Sequence, residues 1–247
     1  MKNEYFLELH QELPSDEPVR NKYTRKAYQI LPSITTPTIL DIGCGPGVQT
    51  LELARLSKGT IIAIDINESY LEELRKRAKQ SNLDKYIIIK KQSMLSLDFP
   101  DETFDIIWAE GSIFAIGFTQ GLRAWKQFIK PKGFLVVHEM AYLKENPPQQ
   151  LKKYWKQMYS GLTTIEQNKN YVQECGYTLL DYFPLPKNAW WDLYYCPLEK
   201  RIRLLKKKYQ NNNKALAVFT AEEQEITLYK KYSSWFGSAF FIMQKND

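Results

Sequence analysis

The chain has 247 residues, 44% hydrophobic and 25% charged, with 34 Lys and Arg against 28 Asp and Glu for a net charge of +6. Length and balance fit a single α/β domain with appended elements and a sizeable core, and no apolar run has the length of a membrane span. Three cysteines, odd in number and far apart, supply no disulfide framework or paired metal motif, and no signal-type apolar core follows residues 1–4, so a reducing, cytoplasmic setting is expected.

Residues 5–13 mix apolar and acidic positions, 14–18 read as a turn, and 19–31 read as a helix with Tyr23, Ala27, Ile30 and Leu31 on one side. Pro32 and Pro37 lead into Thr38-Ile39-Leu40, a β-prone run ending in Asp41. Gly43, Gly45 and Gly47 follow at alternate positions, then a helical pattern over 48–56. A strand, a glycine-rich turn and a helix N-terminus form the usual cofactor position of an open α/β sheet, with glycine where the backbone must turn sharply beside a ligand.

Strand and helix then alternate, the signature of a parallel sheet. Residues 60–64 form a β-branched run ending at Asp65, 68–81 an amphipathic helix, and 87–89 a third strand leading to Ser93 and Met94. A fourth strand, 104–109, ends in Glu110-Gly111. A helix over 119–129 is closed by 130–133, and a fifth strand, 134–137, ends in His138-Glu139. Helical patterns at 151–159 and 164–175 precede strands at 177–183 and 239–243. Between those strands, 185–237 holds two more helical patterns, 198–209 and 221–232, a helical insertion before the last strand.

Asp41 decides between cofactors. A carboxylate in the loop repels a pyrophosphate, the third glycine comes one residue early for G-x-G-x-x-G, and no Gly-Lys-Ser/Thr follows. An ammonium or sulfonium would be welcome there. Asp41-Ile42-Gly43-Cys44-Gly45-Pro46-Gly47 resembles motif I of the class I S-adenosylmethionine-dependent methyltransferases. The resemblance implies an α/β, Rossmann-like fold: a seven-stranded, mostly parallel sheet with an antiparallel last strand. In a single domain, it assigns 1–37 to N-terminal lid helices, with Lys22, Tyr23 and Thr24 over the pocket, 38–139 to the cofactor core, and 140–247 to the acceptor side. S-adenosylmethionine is the implied cofactor, held by Asp41, Gly43, Cys44, Gly45 and Gly47, with Ile66, Ser93 and Met94 around the adenine. Asp65, about twenty residues past the loop at a strand end, is where an acid accepts ribose hydroxyls. Many family members carry Asp where Ser93 stands.

The run from Ser93-Met94 through Trp108-Ala109-Glu110-Gly111 to Ile116-Gly117-Phe118 is similar to a bacterial subgroup of small-molecule-type methyltransferases. It lacks the Asn/Asp-Pro-Pro-Tyr of amino-methylating nucleic-acid enzymes and the Pro-Cys of cytosine-C5 enzymes. His138, Glu139 and Glu110 end strands at the carboxyl edge: His138 is a candidate base, Glu139 or Glu110 a base or an amine ligand, and each equally a structural hydrogen-bond partner. Trp190, Trp191, Tyr194 and Tyr195 read either as core or as a lid over a flat or cationic acceptor. His10 and His138 are the only histidines, which argues against a histidine-rich metal site, and Cys44, Cys175 and Cys196 are too scattered for thiolate chemistry on arsenic. Basic residues are interleaved with helix-period apolar ones, as on a solvated face, and Lys206-Lys207-Lys208 alone invites an RNA reading. The expected function is methyl transfer to O, N or S of a small-molecule acceptor, with no membrane or nucleic-acid partner and a homodimer left open. RNA or protein methylation and a non-catalytic S-adenosylmethionine-binding module stand as alternatives.

Overall fold

The structure, a computed structural model, describes residues 4–11 and 17–247, with the backbone alone for 11 and 17–20. The turn expected at 14–18 falls outside the described residues up to 16, and a helix already begins at 17. Helices α1 (Glu4–Gln11) and α2 (Glu17–Ile30) precede β1 (Thr38–Ile42), α3 (Val48–Ser57), β2 (Thr60–Asp65), α4 (Glu68–Gln80) and β3 (Ile87–Lys91). Then come β4 (Phe104–Glu110), α5 (Phe118–Trp125), β5 (Ile129–Tyr142), α6 (Gln149–Met158), α7 (Ile165–Glu174) and β6 (Tyr177–Pro184). A cap follows, built from α8 (Lys187–Trp190), a π-helical turn (Trp191–Tyr195), α9 (Cys196–Lys208) and α10 (Asn213–Tyr232), before β7 (Phe236–Lys245).

The seven strands make one sheet in the order β3-β2-β1-β4-β5-β7-β6. β1 pairs parallel with β2 and β4, β4 with β5 and β2 with β3, while β7 runs antiparallel to both β5 and β6. The strand order reverses between β1 and β4, the switch point where ligands bind in such sheets. The central strands read as continuous apolar runs because helices cover both faces. Ile39, Ile61, Ile106, Phe134 and Val136 face one core and Leu40, Ile62, Ile107, Leu135 and Val137 the other, each buried side chain contributing about 1.5–3 kcal/mol. A third core, with Leu9, Trp155, Tyr195, Phe219 and Tyr229, joins α1 and α6 to the cap.

Three boundaries differ from the sequence expectation. The helix expected over 119–129 ends at Trp125, a tighter turn covers Lys126–Phe128, and β5 begins at Ile129. β5 and β7 outrun their predicted lengths because they pair from Phe134↔Gln244 to Tyr142↔Phe236, a partnership invisible in either strand alone. α10 starts at Asn213 because the Asn212 side chain caps it, accepting from Ala215 N–H at 3.1 Å. Among the described residues no helix is long and apolar enough to cross a membrane, and Cys44, Cys175 and Cys196 are free thiols.

Candidate functional site

The glycine loop sits at the carboxyl end of β1, at the switch point. Gly43, Gly45 and Gly47 have φ of +70°, +53° and +88°, a region side chains rarely adopt. A Cβ on Gly47 would lie 2.1 Å from Leu74 Cδ1 and one on Gly43 2.5 Å from Ser112 Cβ, whereas Gly45 faces open space. Packing thus needs the outer two glycines, and the middle one offers bare backbone to a ligand. Asp65 pins the loop: one carboxylate oxygen accepts from Gly45 N–H at 3.0 Å and the other from Asn67 N–H at 2.8 Å. Ile66 and Leu95 stand 69% and 68% exposed on the adjacent β2 and β3 loops, two apolar flanks for a flat ring. The Ser93 hydroxyl accepts from Leu95 N–H within its own turn, and the Met94 carbonyl accepts from the Trp125 indole.

Beneath the loop Asp41 is fully buried. Its Oδ2 accepts from Thr50 Oγ1 at 2.6 Å and its Oδ1 has no partner. Burial pushes this carboxyl up to about 7, with Glu110 and Asp65 adding to the push and the Thr50 hydroxyl opposing it. Because no surface of Asp41 is exposed, a ligand over the glycines would meet its field and not its oxygens. An unpaired buried carboxylate oxygen under an open glycine turn suits a cationic aminoacyl group, the part of S-adenosylmethionine that distinguishes it from a dinucleotide. Cys44 stays a thiol: burial, then the charges of Asp41 and Asp65, push its pKa up.

Glu110, the last residue of β4, is the register partner of His138, which lies inside β5 rather than at its end as expected, because the strand runs on to Tyr142. Thr24 of α2 donates to both Glu110 oxygens, at 3.0 and 3.2 Å, and the Trp108 indole donates to Oε2 at 3.1 Å. α2 is held over this edge by Arg25, which donates to the buried Glu52 at 2.6 and 2.9 Å. The His138 ring stacks on Phe240 at 4.6 Å, and its Nε2 lies 2.6 Å from the buried Ser238 hydroxyl. Trp190 donates its indole N–H to the same oxygen at 2.7 Å. Glu139 stands apart from Glu110 and His138. One step along a strand turns the side chain to the other face, where Glu139 packs at 3% exposure. Met140 N–H donates to its Oε1 at 2.7 Å, Oε2 has no partner, and burial pushes the carboxyl up to about 8 against that single hydrogen bond.

The aromatic cluster also divides. Trp190 reaches Ser238, and Trp191 is half-buried under the Lys230 ammonium, 5.0 Å from its ring. The Tyr194 hydroxyl lies 3.2 Å from His10 Nε2. Tyr195 corrects the acceptor-facing expectation: it is fully buried, stacked on Tyr229 at 4.2 Å, and donates to Glu225 at 3.0 Å. Thr50, Ser112 and Ser238 did not stand out in the sequence. The first two lie in the first turn of α3 and just past Glu110-Gly111, but only strand register brings Ser238 to His138. Two clefts, of about 480 Å³ between α6 and α10 and about 330 Å³ beside Tyr142 and Tyr159, lie away from the loop glycines.

Residues 39–133 match the family described as "Methyltransferase domain". The 27-O-demethylrifamycin SV methyltransferase of Amycolatopsis mediterranei is 28% identical over 97 residues, 39% of this chain and 36% of that protein. The sterol 24-C-methyltransferase of Kluyveromyces lactis is 25% identical over 189 residues, 73% of this chain and 50% of that protein. The chain thus spans half or less of the length of these relatives. A methyltransferase of Geobacter sulfurreducens solved with S-adenosyl-L-homocysteine shares the fold, with a TM-score of 0.82 at 14% identity over 99% of both chains. The glycine loop at the switch point and the sheet order agree with the family match, and residues 39–133 carry a methyltransferase domain.

Proposed function

We propose that the chain transfers the methyl group of S-adenosylmethionine to an oxygen, nitrogen or sulfur atom of a small molecule held at the carboxyl ends of β4 and β5. The observation that carries this is the juxtaposition at one sheet edge: an open Gly45 with Asp41 and Asp65 around it, and Glu110 and His138 side by side across β4 and β5. When bound, S-adenosylmethionine supplies a methyl carbon on a sulfonium whose thioether leaves readily. The protein's task is then mainly to hold the acceptor atom in line at about 3 Å and to receive a proton where one is lost.

The residues divide that work. Asp65 orients a ribose while tying down the loop, and Ile66 with Leu95 encloses a flat base. Glu110, fixed by Thr24 and Trp108, is the group placed to take a proton or hold an amine. Ser238 and Trp190 set the His138 ring from the cap side, so the cap and the last strand shape the acceptor half while 38–139 serve the cofactor. Thr24 on α2 closes the pocket from the N-terminal side.

The first test is thermal stabilisation by S-adenosylhomocysteine, expected at about 3 kcal/mol for ligand near a hundredfold its Kd. Labelled methyl transfer into metabolite extracts, with the product identified by mass, then gives the acceptor. An unmoved Tm at saturating ligand removes the cofactor reading, and a shift without transfer to any metabolite removes the catalytic one.

A further inference from the structure

On the face of β5 opposite His138 lies a polar pair that the scheme above leaves unused. Glu139 Oε2 is buried without a hydrogen-bond partner, and so is the phenol oxygen of Tyr159, the residue that ends α6. The two sense each other: after burial itself, the charge of Glu139 is what holds the proton on the Tyr159 phenol. Each lone buried polar atom costs stability. Native proteins leave few such atoms, and two of them, one near the end of β5 and one at the end of α6, point to a partner that comes and goes.

The surroundings say what kind. Phe114, on the short turn Ile113–Ala115, sets its ring edge-on to Tyr159 with centroids 6.3 Å apart, yet keeps 46% of its surface exposed. Met158, next to Tyr159, is 57% exposed. Large apolar side chains standing open beside an unsatisfied polar floor fit an apolar body with a polar tip. The turn that carries Phe114 begins at Ser112, which packs against Gly43 of the cofactor loop. Tyr159 also lines the cleft of about 330 Å³ with Leu162 and Thr163. Among the described residues no ion pair involves Glu139, and its Oε2 has no hydrogen-bond partner.

We propose that Glu139 and Tyr159 are the polar end of the acceptor subsite, holding the N–H or O–H of an otherwise apolar small molecule whose body lies against Phe114 and Met158. Both are positioning residues. The inference rests on the methyl-transfer reading, since it takes the molecule held here to be the methyl acceptor.

The test uses the full chain saturated with S-adenosylhomocysteine and titrated calorimetrically with benzylamine, benzyl alcohol and toluene. The amine or the alcohol is expected to bind about tenfold tighter than toluene, the size of one hydrogen bond to a buried group. Tyr159→Phe and Glu139→Gln should each erase that preference without changing S-adenosylhomocysteine affinity. Tyr159→Phe removes an unsatisfied hydroxyl and little else, so its Tm should equal or exceed that of the parent chain. The proposal is overturned if no preference over toluene exists, if the preference survives both substitutions, or if Tyr159→Phe lowers the Tm, which would make the pair structural. Failure of S-adenosylhomocysteine to bind would instead sink the methyl-transfer reading, and the same probes on the protein alone would still decide whether the pair binds a donor group.

Discussion

Asp65 is the side chain with the most to lose. Both of its oxygens already accept backbone N–H groups, from Gly45 and Asn67, so only the lone pairs left over are open to the ribose of the proposed cofactor. Asp65→Asn would turn an amide N–H₂ toward one of those donors and loosen the loop together with the sugar contact. We expect S-adenosylhomocysteine affinity by calorimetry to fall at least tenfold, about 1.4 kcal/mol or more, with a much smaller change in Tm. Asp65 was legible in the sequence because strand end, spacing and loop all bear on it. Asp41 was legible as an acid but not as a buried one: its depth follows from the packing of α3 through Thr50. Ser238 and Tyr159 were not legible at all, since a serine in a strand and a tyrosine at a helix end acquire meaning only from what the chain folds beside them.

At the scale of elements, the cap is where sequence reading runs out. The run Trp190–Tyr195 is aromatic on every side, so helical periodicity assigns it no face, and the π-helical turn over Trp191–Tyr195 re-aims the side chains once more. The result sends Trp190 to the site and Tyr195 into the cap core. Tyr195→Phe should therefore act on stability, because it strips a hydrogen bond from the half-buried Glu225 carboxyl. A loss of about 1–2 kcal/mol is expected, read as a lower urea midpoint with S-adenosylhomocysteine affinity unchanged. A normal midpoint with impaired turnover would return Tyr195 to the acceptor. By contrast, the strand–helix alternation through β5 was readable because each element carries its own period, 2 or 3.6, in its own residues.

For the molecule as a whole, the net charge of +6 is largely a matter of solvated helix faces. Lys206 pairs with Glu223, Lys208 with Glu8, and Arg75 and Arg77 with Glu68 and Glu73. The buried carboxyls set the response to pH. Burial raises Asp41 from 3.8 to about 7, Glu139 from 4.5 to about 8 and Glu225 from 4.5 to about 7. Glu222 adds to the rise of Glu225, which Tyr195, His10 and Tyr154 oppose. Groups raised in the folded state contribute fully below their unfolded values, and that contribution is lost as pH rises through the folded ones. Glu8 and Glu199 run the other way: hydrogen bonds from Lys208 and Lys230 hold them low, so their contribution goes as pH falls. Stability should thus peak on the acid side of neutrality, with a urea midpoint higher near about pH 6 than near about pH 8, and Glu139→Gln should narrow that difference. A midpoint that rises with pH over this interval would contradict the assignment. The strand order has one further consequence. β7, made after both of its neighbours, slots between β5 and β6 and brings Ser238 to His138. The half of the sheet around the glycine loop can assemble while translation continues, but β5 keeps an open edge until β7 emerges. In a growing chain, that unpaired β5 edge is the stretch a chaperone has most reason to guard.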